Sequence, residues 1–118
     1  MKRDYRLFLK DIIDAMEAIE RFVEGMELID FMKDDKTSSA VIRKFEIIGE
    51  AVKYLPDHIK EKHARIPWKK MAGMRDKLIH AYFGVDYLLI WETIKSEIPK
   101  LKPELRKVLQ ELEEKEGG

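Results

Sequence analysis

Between Asp4 and about Gly25 the apolar residues Tyr5, Phe8, Leu9, Ile12, Ile13, Met16, Ile19 and Val23 recur at steps of three and four. That spacing lays them along one stripe of an α-helix. Gly25 breaks the pattern, and Glu27 to Lys33 reads as a further short helical piece before the polar turn Asp34-Asp35-Lys36. Thr37, Ser38 and Ser39 offer hydroxyls that can cap free backbone N–H groups. They precede a second long stripe, Val41, Phe45, Ile48, Val52 and Leu55, which ends at Pro56. Gly49 lies inside that helix at a cost of about 1 kcal/mol relative to alanine, which points to a close helix crossing there.

The stretch from Pro56 to Pro67 is short, charged and punctuated, and predicts a turn or a single helical turn. Pro67 suits the first position of a third helix, because its missing N–H would have no partner there. That helix is predicted to run to about Phe83 and to stop at Gly84. From Val85 to Ile98 the chain is apolar on most sides, which predicts burial between helices or between subunits. A last amphipathic helix carries Leu101, Leu105, Val108, Leu109 and Leu112, with Pro99 and Pro103 marking a kink or a restart and a charged, fraying tail from Glu113. No strand-like alternation and no repeat intervene. The expected fold is all-α, an antiparallel bundle of four to five helices forming one domain over residues 1–118.

A chain of 118 residues should bury roughly two-thirds of the surface its unfolded form exposes, enough for one core. Its 23 basic and 23 acidic residues cancel, so no global positive field gathers nucleic acid and any such chemistry needs a local patch. The absence of cysteine removes disulfides, thiolate nucleophiles and thiolate metal sites, and suits a reducing compartment. With no leader-like segment and no long apolar run, the expected location is cytoplasmic, away from membranes. The 39% charged content, with no Asn and a single Gln, is a bias common in thermophilic proteins.

One segment concentrates chemistry: Arg75-Asp76-Lys77-Leu78-Ile79-His80-Ala81-Tyr82. On a continuous helix Met71, Met74, Leu78 and Ala81 form the core stripe, Asp76 and His80 lie one turn apart on the opposite face, and Arg75 and Tyr82 occupy a third side. His80 can move a proton near neutral pH, and Arg75 can hold a phosphate and the charge that develops on it, as cleavage of RNA by its own 2′-hydroxyl requires. Asp76 could orient the imidazole. The bland reading is that these are ordinary surface residues, with Asp76 and His80 a weak helix pair. Residues five apart also stand about 140° apart around a regular helix. Arg75 and His80 therefore share a site only if the helix end is distorted or two subunits build it jointly.

Arg75, four intervening residues, His80, one residue and Tyr82 form an Arg-x4-His-x-Tyr pattern that resembles HepT-like proteins, the HEPN-domain toxins paired with minimal nucleotidyltransferase antitoxins. The likeness extends to the phrase Arg43-Lys44-Phe45-Glu46-Ile47-Ile48-Gly49-Glu50-Ala51, to Pro67-Trp68 opening the third helix, and to the helical order, and so covers most of the chain. The resemblance implies a metal-independent ribonuclease that needs no cofactor and works as a homodimer with the motif helices meeting at a shared cleft. It implies that Arg75 and His80 are the catalytic pair. It further implies that Tyr82 is the position that a cognate minimal nucleotidyltransferase antitoxin modifies with AMP to silence the toxin.

Arg43, Glu46, Glu50 and Lys53 fall on the polar face of the second helix, either as a solvated charge face or as the border of the cleft. In the second case Arg43 would add to phosphate binding, and Glu46 or Glu50 would hold Arg75. His58 and His63 with Glu61 do not make a metal site, since five-residue spacing separates the histidines and no third ligand is evident. Trp68 and Trp91 suit buried anchors better than base-stacking platforms. The cluster Lys60, Lys62, Arg65, Lys69, Lys70, Arg75 and Lys77 is the candidate basic patch. A different class of function is a non-catalytic helical module that binds nucleotide or protein, with Arg75 and His80 holding the ligand or the dimer. The near all-round apolar stretch from Val85 to Trp91 favours dimerisation on physical grounds as well.

Overall fold

In a computed structural model of the protein, residues 4–80 and 84–117 are described, the side chains of 79, 80, 116 and 117 excepted. The elements are α1 (Tyr5–Phe22), α2 (Leu28–Lys33), α3 (Asp35–Lys53), α4 (Asp57–Lys62), α5 (Trp68–Ala72), α6 (Met74–Leu78), β1 (Ile79–His80), β2 (Gly84–Val85), α7 (Tyr87–Glu92), a π-helical segment (Thr93–Glu97) and α8 (Ile98–Gly117). The fold is all-α apart from the two-residue strands. Three long helices, α1, α3 and α8, carry most of it, and the rest of the predicted bundle is divided among short segments.

Cross-helix pairs give the directions. Phe8 at the start of α1 stacks on Tyr54 at the end of α3, so those two helices run antiparallel. Glu20 pairs with Lys102, Glu17 with Arg106 and Lys10 with Glu113, which sets α8 antiparallel to α1 on another side. The predicted stripes are the core. Leu9, Ile12, Ile13, Met16, Ile19 and Val23 of the first stripe are buried, as are Val41, Phe45, Ile48, Val52 and Leu55 of the second and Leu101, Leu105 and Val108 of the last.

Local chemistry sets the boundaries. Asp4 caps α1 by accepting from the Arg6 N–H, and its carboxyl is lowered to about 2, chiefly by the Arg6 side-chain hydrogen bond. Gly25 turns the chain at a φ of 79°, a conformation glycine adopts without a Cβ clash. The hydroxyl cap expected at Thr37 to Ser39 is replaced by Asp34. Its carboxylate accepts from the Thr37 N–H and hydroxyl at 2.9 and 2.8 Å and starts α3 three residues earlier than a cap at Thr37 would. Pro99 falls in the first turn of α8, and Pro103 is taken into the exposed side of the same helix without a restart.

The third predicted helix differs most. It is interrupted at Gly73 and ends at Leu78 rather than Phe83, and Ile79 and His80 instead pair antiparallel with Val85 and Gly84. Gly73 has no Cβ to favour continuation, and Gly84, at the start of β2, has a φ of 86° that glycine adopts without a Cβ clash. Met71, Met74 and Leu78 are buried as the stripe predicted, and Ala81 lies outside the described residues. Gly49 marks a close crossing: a Cβ there would lie 3.0 Å from the carbonyl oxygen of Ala72. That contact fixes α3 against the α5–α6 junction, which carries Arg75.

Candidate active site

The α5–α6 stretch runs antiparallel to α3 where they meet, since Gly49 faces Ala72 of α5 and Glu46 faces Arg75 of α6. Arg75 Nε donates to Glu46 Oε1 at 3.5 Å, and Arg43 Nη1 donates to Glu46 Oε2 at 3.4 Å. One carboxylate therefore joins two guanidinium groups from different helices. Both cations remain accessible, Arg75 at 50% and Arg43 at 69% side-chain exposure, so the pairs restrain orientation more than they stabilise the fold. Arg75 Nη1 also lies 3.6 Å from Asp76 Oδ1, with Asp76 almost fully exposed. A hollow of about 160 Å3 lies here, bordered by Glu46, Glu50, Lys53, Ala72, Arg75 and Asp76. Arg75, Asp76, Glu46 and Glu50 thus come together, with Arg43 joined through Glu46.

His80 follows in β1, its backbone paired with Gly84. The expected one-turn pairing of Asp76 with His80 on a helix does not hold, because α6 stops at Leu78. The His80 side chain and Tyr82 lie outside the described residues. Because helix and strand meet between Arg75 and His80, the angle of about 140° expected of a regular helix does not govern them.

The other candidates are dispersed. His63 Nε2 lies 3.1 Å from a Glu111 carboxylate oxygen, while His58 stands edge-on to Tyr5, so the two imidazoles do not converge. Trp68 is a buried anchor whose Nε1 donates to the His63 carbonyl at 3.1 Å. Trp91 packs on Phe31 with Lys95 over its ring. The basic cluster is partly consumed by α8. Lys62 pairs with Glu111 and Arg65 with Glu104, and the Lys62 hydrogen bond raises the lysine's pKa and lowers that of Glu111. No helix among the described residues is long and apolar enough to cross a membrane. Leu88 and Leu89 of the apolar stretch are exposed, while Ile90 is buried.

The sequence placed Phe8 only in the first apolar stripe and did not single out Tyr54; the two line a second hollow beside Arg43, Glu46 and Glu50. The available signal was spacing, for Tyr54 continues the four-residue steps of Glu46 and Glu50.

Comparison with known proteins gives the family. Residues 12–108 match the family described as "Ribonuclease HepT-like". The chain is similar to "Putative RNase MJ0125" of Methanocaldococcus jannaschii, 53% identical over 97% of this chain and 98% of that one. It is also similar to "Probable ribonuclease HepT" of Thermococcus cleftensis, 52% identical over 92% and 98% of the two chains. "Putative RNase TTE0752" of Caldanaerobacter subterraneus is 50% identical over 89% and 94%. No solved structure shows a significant match. With a family match over most of its length and relatives about half identical to it, the chain belongs to the HepT-like ribonuclease family.

Proposed function

We propose that this protein is a metal-independent RNA endonuclease, the toxin of a toxin–antitoxin pair, which cleaves RNA at Arg75 and His80 in the cleft of a homodimer. The observation that carries this reading is the tethering of Arg75 to Glu46 on an open face, one short helix before the strand that holds His80. In the reaction the ribose 2′-oxygen attacks phosphorus, the bond to the 5′-oxygen breaks, and a 2′,3′-cyclic phosphate forms. His80 of one subunit accepts the 2′-hydroxyl proton, and His80 of the other gives a proton to the departing 5′-oxygen. Arg75 binds the phosphate and the charge that grows on its free oxygens, a role that such donors fill without a metal ion. Glu46 keeps the guanidinium oriented, and Arg43 adds a second positive group. Asp76 and Glu50 border the site, where Asp76 can share in holding Arg75.

Tyr82, two residues beyond His80, is on this reading the acceptor of AMP from a cognate minimal nucleotidyltransferase antitoxin. The added phosphate brings negative charge to a site built for an anion and closes it to RNA. Exposed Leu88 and Leu89 on α7 supply apolar area for the homodimer.

The test is purified, unmodified protein incubated with RNA in excess chelator. Cleavage to cyclic-phosphate ends, lost by 10²-fold or more in His80→Ala, supports the proposal. No cleavage of any RNA by the wild type, or full activity in His80→Ala, overturns it in favour of a binding module.

A further inference from the structure

The stripe of α3 that brings Glu46 to Arg75 continues through Glu50 to Tyr54, each member four residues after the last, so the side chains follow one another along one face. Opposite them the start of α1 presents Phe8. Its ring lies 5.4 Å from that of Tyr54 at an interplanar angle of 14°. Between the helices is a hollow of about 360 Å3 lined by Phe8 and Asp11 on one side and by Arg43, Glu46, Glu50 and Tyr54 on the other. It shares Glu46 and Glu50 with the smaller hollow at Arg75. From Glu46 to Tyr54 the helix climbs about 12 Å, a gap that a short run of single-stranded RNA can bridge.

Two properties suit this hollow to a nucleobase. Tyr54 is 60% exposed yet already stacked on Phe8, so it presents a flat face in a fixed orientation. Such faces hold unstacked bases of single-stranded RNA. The second property is the division of labour between the two glutamates. Glu46 is taken by Arg43 and Arg75, whereas the exposed Glu50 forms no ion pair among the described residues. A carboxylate offers two parallel acceptors and no donor. Guanine alone among the RNA bases offers two adjacent N–H donors, N1–H and the 2-amino group, along its Watson–Crick edge. Adenine and cytosine set a ring acceptor beside the amino group, and uracil sets carbonyls on both sides of its single N–H, so each turns a lone pair toward the carboxylate.

We propose that the groove between α1 and α3 is a base-binding subsite that takes a guanine of the RNA, stacked on Tyr54 and read by Glu50. Its use in cleavage rests on the ribonuclease reading above, while the binding itself requires no chemistry.

Amide spectra of isotopically labelled protein, titrated with guanosine, adenosine, cytidine and uridine monophosphates in turn, test it. Guanosine monophosphate should bind about tenfold more tightly than the others, as a bidentate base contact does. Its shifts should centre on Phe8, Glu50 and Tyr54. Glu50→Gln, which turns one acceptor into a donor, should bring guanosine monophosphate to the level of adenosine monophosphate. Tyr54→Ala should weaken all four by about tenfold, and Tyr54→Phe should restore them. Equal affinities, absent binding, shifts centred elsewhere, or a guanine preference unchanged in Glu50→Gln would each overturn the subsite. Mapping the cuts of wild-type protein on RNA separates the two readings. Guanine-selective binding without cleavage leaves the subsite and removes the nuclease, whereas cleavage without guanine-selective binding does the reverse.

Discussion

Replacing Gly49 with alanine tests the packing that fixes Arg75. In a helix interior this change ordinarily stabilises by about 1 kcal/mol, since alanine is the better helix former. Here the added Cβ would meet the Ala72 carbonyl oxygen at 3.0 Å and that of Met71 at 3.6 Å. The obstacle is backbone, so α5 must retreat by a few tenths of an ångström, and overpacking of this kind costs about 1–3 kcal/mol. The balance is a net loss of about 1 kcal/mol, or a fall in unfolding temperature of roughly 3–6 °C for a domain of this size. Gly49→Val removes the propensity gain and adds bulk toward the same carbonyls, and should cost about 3 kcal/mol. Gly73→Ala is the contrast: its Cβ meets nothing nearer than the Lys69 carbonyl oxygen at 3.6 Å at a negative φ, so it should stabilise by about 0.5 kcal/mol. Urea unfolding followed by far-ultraviolet circular dichroism gives the ranking. If Gly49→Ala stabilises as Gly73→Ala does, the close crossing of α3 and α5 is refuted.

Four further outcomes are expected. Arg75→Ala should lower RNA cleavage by about 10²–10³-fold, and Glu46→Gln by a smaller factor that falls on kcat more than on KM; equal rates in all three proteins would remove Arg75 from the reaction. The Asp4 carboxyl is lowered from 3.8 to about 2 in the folded chain, so its charge stabilises fully above the unfolded value and ceases to as pH falls through the folded one. The melting-temperature advantage of wild type over Asp4→Asn should therefore persist at neutral pH and close between those two values, and a gap independent of pH would contradict the capping role. Trp68→Ala should destabilise by about 3–5 kcal/mol in chemical denaturation, whereas an exposed ring would cost little. Leu88→Glu, at an exposed position, should leave the fold intact and convert a dimer to a monomer in light scattering; an unchanged mass would move the dimer contact elsewhere.

Much of the fold could be read from periodicity, because α1, α3 and α8 bury one stripe each and a stripe is visible as spacing. Gly49 could be read in the same way, as a cost that only a crossing explains. The third helix could not. Its residues to Phe83 keep a helical pattern, but the break at Gly73 and the pairing of Ile79 with Val85 depend on contacts between segments, which spacing does not report. The cap at Asp34 was hidden by three competing hydroxyls just downstream, and a carboxylate is the better-placed acceptor of the two. At the site, the likeness of the Arg-x4-His-x-Tyr pattern drew attention to Arg75, and the polar face of α3 drew attention to Arg43, Glu46 and Glu50. That Glu46 contacts both arginines, while Glu50 borders both the hollow at Arg75 and the one lined by Tyr54 and Phe8, required coordinates.

The π-helical segment from Thr93 to Glu97 joins α7 to α8 in one unbroken rod, and its wider turn holds one residue more than an α-turn. It works as a phase splice. Upstream the rod rests on α2 and α6, downstream on α1, and the wider turn absorbs the extra residue while Leu101, Leu105 and Val108 still arrive facing the core. Deleting exposed Ser96 would regularise the turn and leave those side chains close to their present azimuth, because one fewer residue in an α-turn rotates the chain about as far as the wider π-turn does. The join into α8 is thus the point in the rod where a single unit of chain can be given up with the packing of Leu101, Leu105 and Val108 retained.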